Sequence, residues 1–141
     1  MGDAVIGKAW LVPLSVLLTA GCAAQFACTT AGCDSGVMFT ALNVGQVPGE
    51  ALVMRACVDE VCSDSIGVDQ DVIVVQLPDT GSRAAVASIT ITQGDTVLVQ
   101  GSTPVQLTKI APNGEKCGPI CFVAAVEVTK DGLKAMPIGE S

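Results

Sequence analysis

Six of the seven cysteines in this chain come as close-set couples: Cys28 with Cys33, Cys57 with Cys62, and Cys117 with Cys121. Cys22 is left over. Cysteines that pair restrict a fold more than any local propensity does, because a bridge needs its two Cα atoms within about 7 Å of each other. One odd thiol plus six suggests one cysteine with a separate task and three disulfides, in a compartment where disulfides persist.

The first two dozen residues point to such a compartment. Lys8 is the only cation before Arg55; an apolar run follows from Ala9 to Leu18, and then the small residues Thr19, Ala20 and Gly21. A positive start, an apolar stretch of roughly 7–15 residues and a small-residue cut site define a secretory signal peptide. The stretch contains Pro13 and Ser15 and falls short of the roughly 20 apolar residues a spanning helix wants. Residues 1–21 are therefore expected to be a cleaved signal peptide, residues 22–36 a tether and lead-in, and residues 37–141 the folded domain.

The run Leu18-Thr19-Ala20-Gly21-Cys22 resembles the lipobox of bacterial lipoproteins, with its leucine one place further back than usual. The resemblance implies lipid transfer to the Cys22 thiol, cleavage before Cys22 and acylation of the new amino terminus. Two or more acyl chains hold a protein stably on a bilayer, where one holds it only reversibly. The implied partner is the lipid bilayer and the implied address the extracytoplasmic face of the cell membrane. Lipidation would use the odd thiol and leave Cys28, Cys33, Cys57, Cys62, Cys117 and Cys121 for disulfides.

Val and Thr recur in short runs separated by Gly, Pro, Asn and Asp, which favours strands. The expected strands cover 37–42, 51–58, 61–63, 72–77, 84–92, 96–100, 105–110, 122–129 and 133–136, with Gly101 and Pro104 interrupting the sixth as a bulge or sheet switch. Ala85, Ala87, Ile89 and Ile91 share one face of the fifth, opposite Ser88, Thr90 and Thr92. Short strands with regular turn signals predict an all-β fold, an antiparallel immunoglobulin-like β-sandwich, with a small β-barrel as the alternative. The Cys-Trp-Cys core pattern and tyrosine corner of immunoglobulin domains are absent from the sequence.

Asp59-Glu60 as a two-residue turn would set Val58 opposite Val61 and Cys57 opposite Cys62, at a non-hydrogen-bonded site with Cα atoms about 4.5 Å apart. That distance is at the near edge of what a disulfide accepts. The other four cysteines can pair crosswise, stapling the lead-in to the late hairpin, or locally as Cys28–Cys33 and Cys117–Cys121. Spacing permits both, and the crosswise arrangement, which closes far longer loops, is favoured.

Composition narrows function by exclusion. Beyond residue 21 there are six cations and thirteen acids, so nothing supplies a phosphate-neutralising patch and nucleic acid is not an expected partner. With no histidine in the chain, the commonest general base and metal ligand are missing, and no enzyme, cofactor or metal site is expected. Three motifs invite other readings. Cys117-Gly118-Pro119-Ile120-Cys121 resembles the thioredoxin active site with one residue too many, and thiol–disulfide exchange through Cys117 and Cys121 is the enzymatic alternative. Leu77-Pro78-Asp79-Thr80-Gly81 matches a sortase sorting signal, but lies mid-chain, where a turn with Pro early and Gly late accounts for it. Asp64, Asp69 and Asp71 could supply oxygens to a divalent cation, although their spacing fits no EF-hand loop.

The cysteine-rich start and the late Cys-Gly-Pro-x-Cys are loosely similar to small uncharacterised lipoproteins of high-GC Gram-positive bacteria, a resemblance that implies no functional residues. The reading is a lipid-anchored domain that binds or scaffolds an envelope protein partner.

Overall fold

A computed structural model describes Cys28, residues 31–78 and residues 81–138. The segment expected to be a signal peptide (1–21), the expected lipid attachment residue Cys22, the expected tether as far as residue 27, and Asp79 and Thr80 of the sorting-signal match lie outside the described residues. Eight strands follow one another: β1 (Gly36–Ala41), β2 (Leu52–Val58), β3 (Val61–Gly67), β4 (Val72–Gln76), β5 (Arg83–Gln93), β6 (Thr96–Ile110), β7 (Cys121–Thr129) and β8 (Gly132–Met136). No helix occurs among the described residues, and the protein is all-β.

The strands form one hydrogen-bonded path in the order β3-β2-β5-β6-β7-β1-β4, with β8 added on β7. Strand β6 belongs to both halves of the path. Its residues from Thr96 to Leu107 pair with β5, and Thr108 to Ile110 then pair with β7. The two ends, β3 and β4, return alongside each other, so the sheet curls into a nearly closed barrel. This path fits the small-barrel alternative better than two separate facing sheets.

The sheet also departs from a purely antiparallel plan. β1 and β7 run parallel, from Gly36 opposite Val123 to Ala41 opposite Val128. A parallel pair needs a long connection, and here that connection is almost the whole barrel. The expected break at Gly101 and Pro104 is absent, since β6 runs through both. The register shift falls instead opposite Ile91 and Thr92 of β5, which face Val99 and Val97, so the extra residue is Leu98 of β6. Gly101 has a packing role: a Cβ there would lie 3.1 Å from Leu133 Cδ1, so the glycine lets β8 lean against β6.

Alternation fills the barrel. Leu52, Met54, Ala56 and Val58 point inward from β2, as do Ala85, Ala87, Ile89 and Ile91 from β5. Among the described residues Phe39 on β1 is the one fully buried aromatic side chain, set among Val and Ile, while Phe122 is partly buried against the same core. Burying each larger side chain contributes about 1.5–3 kcal/mol, and β1, β2, β4, β5, β6 and β7 supply most of them. No residue of β3 or β8 is fully buried, which suits a sheet end and an appended strand. Gly36 opens β1 where it meets β4; a Cβ there would collide with the Val75 carbonyl oxygen.

One buried polar side chain ties a loop to this core. Gln93, 6% exposed at the end of β5, accepts from the Val47 N–H (2.7 Å) through Oε1. Its Nε2 donates to the carbonyls of Val47 (3.0 Å) and Glu50 (3.1 Å). A segment with no strand partner thus has its backbone polar groups satisfied by a side chain, as burial requires.

Candidate functional site

Topology gathers the chemistry at one end of the barrel. β1 and β7 start there and β6 finishes there, so the lead-in and the 111–120 loop meet. Cys28 is bonded to Cys117 and Cys33 to Cys121, with Cα atoms 5.4 and 6.1 Å apart. The crosswise arrangement is therefore the one formed. This corrects the thiol-exchange alternative: Cys117 and Cys121 belong to different bridges and are not a dithiol–disulfide couple. They sit in a turn and at the first position of a strand, with no helix N-terminus to lower a thiol pKa.

The lead-in is held by more than sulfur. The Ser35 Oγ accepts from the Phe122 N–H (3.0 Å), and the Ser35 carbonyl accepts from the Leu77 N–H (2.9 Å). Asn113 Nδ2 donates to the Ala31 carbonyl (2.6 Å) and the Gly118 carbonyl (3.0 Å), standing between lead-in and loop. Cys121 is 2% exposed, whereas Cys28 is exposed and Cys33 and Cys117 are half-buried.

The third bridge, Cys57–Cys62, closes the turn at the same end. The strand register is the one the two-residue turn implies, Val58 opposite Val61 and Cys57 opposite Cys62, with Cα atoms 4.0 Å apart. Asp59 takes φ 51°, a left-handed conformation that Asp tolerates better than most residues. Its side chain does further work: Oδ1 accepts from the Val86 N–H (2.9 Å) and Oδ2 from Arg83 Nη1 (2.8 Å). These two hydrogen bonds, the Val86 amide first and the Arg83 guanidinium second, hold the Asp59 carboxyl below its ordinary pKa. Glu115 is likewise lowered by its hydrogen bond and ion pair with Lys109 (2.7 Å).

The acidic stretch does not converge. Asp64 lies along β3 and binds Arg55 Nη1 through both carboxylate oxygens (3.0 and 2.9 Å), while Asp69 and Asp71 flank the β3–β4 turn at the opposite end of the barrel. Among the described residues no group of three or more His, Cys, Asp or Glu is placed to hold a metal ion.

The outer faces carry two apolar rows that register places side by side. Val74, Met38, Ala125 and Met136 line up across β4, β1, β7 and β8. Four strands about 4.8 Å apart make this row about 14 Å wide. Ile66, Val53, Thr92 and Val97 line up across β3, β2, β5 and β6, with Ile66 72% exposed. Beside the first row, Met38, Leu42 and Met136 border a shallow groove of about 230 Å³.

Three positions that matter here left little trace in the sequence. Ser35 and Asn113 are small polar residues in turn-rich stretches, where such residues are common, and Gln93 looks like the polar edge of a Gln-Gly-Asp turn. Only Asp59 had a signal, as the first residue of a two-residue turn. Comparison with protein-family models, curated proteins and solved structures finds no match for this chain.

Proposed function

We propose that the chain is an exported lipoprotein, cut before Cys22 and acylated there, whose barrel serves as a non-catalytic binding or scaffolding module on the outer side of the cell membrane. The observation that carries this reading is the distribution of sulfur: three bridges use six of seven cysteines, and the one outside them is Cys22, in the run that resembles a lipobox. Disulfides closing loops of 88 and 89 residues belong to an oxidising compartment, which is where the N-terminal segment would send the chain. An envelope protein partner would find its apolar contact on the two outer rows.

Intact-mass analysis of the protein extracted from membranes tests this reading. The expected product begins at Cys22, carries acyl mass, and lacks the six hydrogens removed by three bridges. Cys22→Ala should leave the barrel folded and release it from the membrane. A chain recovered from the cytosol with reduced thiols refutes the proposal.

A further inference from the structure

We propose that the two bridges fastening the lead-in differ in kind: Cys28–Cys117 is a releasable clasp that a dithiol opens while the barrel stays folded, and Cys33–Cys121 is a permanent fastening. Cys121 is almost fully buried, opens β7 and pairs in register with Ile110 of β6. Its partner Cys33 lies two residues before buried Ser35, whose hydrogen bonds reach β7 and the end of β4. Reaching Cys121 Sγ means opening the barrel, and attack at half-buried Cys33 must expel Cys121 as a thiolate into a buried site, where a thiol is a poor leaving group. Cys28 and Cys117 lie outside every strand: Cys28 is exposed, and Cys117 sits on a loop turn where its N–H donates to the Gly114 carbonyl (3.2 Å). Among the described residues between the two bridges, the exposed Ala31 is held through its carbonyl by Asn113.

The chemistry is ordinary exchange. A thiolate of the dithiol attacks Cys28 Sγ, forming a mixed disulfide and expelling Cys117 as the thiolate. The second thiol then displaces Cys28, so the dithiol leaves as its disulfide, having delivered two electrons and two protons. The large loop remains closed by Cys33–Cys121, which is why the fold survives.

Opening the clasp moves the point where the N-terminal segment joins the barrel from Cys28 to Cys33. On the lipid-anchor reading, on which this consequence rests, the leash from Cys22 lengthens from six residues to eleven. Its maximal reach then grows from about 21 to about 39 Å, at about 3.5 Å per residue. Redox state would set how far the domain can stand from the bilayer.

The test is graded dithiothreitol treatment of the full folded chain, with alkylation of freed thiols and mass-spectrometric assignment. Cys28 and Cys117 should be modified together, on the order of tenfold faster than Cys33 and Cys121, with the strand circular dichroism unchanged. Cys57–Cys62, also accessible, is followed separately. Equal rates at the two lead-in bridges, or loss of strand signal as Cys28 is freed, overturn the clasp. A Cys28→Ser/Cys117→Ser variant should still unfold cooperatively, and failure to fold also overturns it. The leash is read by energy transfer between a dye on the barrel and labelled phosphatidylglycerol/phosphatidylcholine vesicles carrying the acylated protein. Transfer should fall when the clasp opens, and unchanged transfer refutes the leash. A wild-type chain that does not bind vesicles refutes the anchor and the leash together, while the labelling order still decides the clasp.

Discussion

The two lead-in bridges are neighbours in three dimensions, and their removal should be strongly non-additive. In the chain-entropy description, one bridge closing a loop of 88 or 89 residues stabilises by about 4.6 kcal/mol at 25 °C. With that loop already closed, the second bridge closes only the small ring made by 28–33 and 117–121. For a ring of about nine residues the same relation gives about 2.6 kcal/mol. Removing either bridge alone should therefore cost about 2.6 kcal/mol, and removing both about 7. The coupling energy is then about 2 kcal/mol. Cys→Ala pairs at 28/117, at 33/121 and at all four positions form the cycle. Truncation at buried Cys121 adds a packing loss to two corners of the cycle, which cancels in the coupling. The assay is urea unfolding with linear extrapolation, in trimethylamine N-oxide because a 7 kcal/mol loss rivals the whole stability of many domains. Additive losses of about 4.6 kcal/mol per bridge would show that the bridges constrain independent loops and refute the ring argument. A fourfold variant no less stable than either pair variant would show that the lead-in adds nothing to the fold.

Two further outcomes are expected. Gln93→Leu leaves the Val47 N–H and the Glu50 carbonyl without their partner and removes one of two donors to the Val47 carbonyl, so stability should fall by about 2–4 kcal/mol and amide exchange should quicken across 43–50. Since the folded-state pKa values of Asp59 and Glu115 are depressed, their contribution is complete above the ordinary carboxylate range near pH 4 and is lost as pH falls through the lowered values. Asp59→Asn should flatten that acid limb in thermal unfolding followed against pH, and an unchanged limb would show that Asp59 is not its source.

Local order was legible in the sequence; long-range order was not. Alternation from Ala84 to Thr92 marks β5 because a period of two shows in any window of a half-buried strand. The Cys57–Cys62 register followed from a turn two residues long, which fixes everything beside it. No such device links β1 to β7, whose pairing spans most of the chain, so nothing in either stretch announced a parallel neighbour. Gly101 and Pro104 read as a break because both weaken a strand in isolation; β6 runs through them all the same, paired with β5 from Gly101 to Pro104. At the candidate site the cysteines were visible and their partners were not. Cys28–Cys33 and Cys117–Cys121 satisfy spacing as well as the crosswise bridges do, and only the meeting of two strand starts and one strand end at the same end of the barrel decides between them.

Strand β6 has a mechanical consequence. Because one uninterrupted backbone carries both ladders, the two walls cannot part along β6, and the unpaired edges of β3 and β4 are where they could. The angle between the outward apolar rows is set by the twist of that single splint. A partner gripping both rows would meet two walls hinged on one strand. A change in β6 twist would re-aim both rows at once.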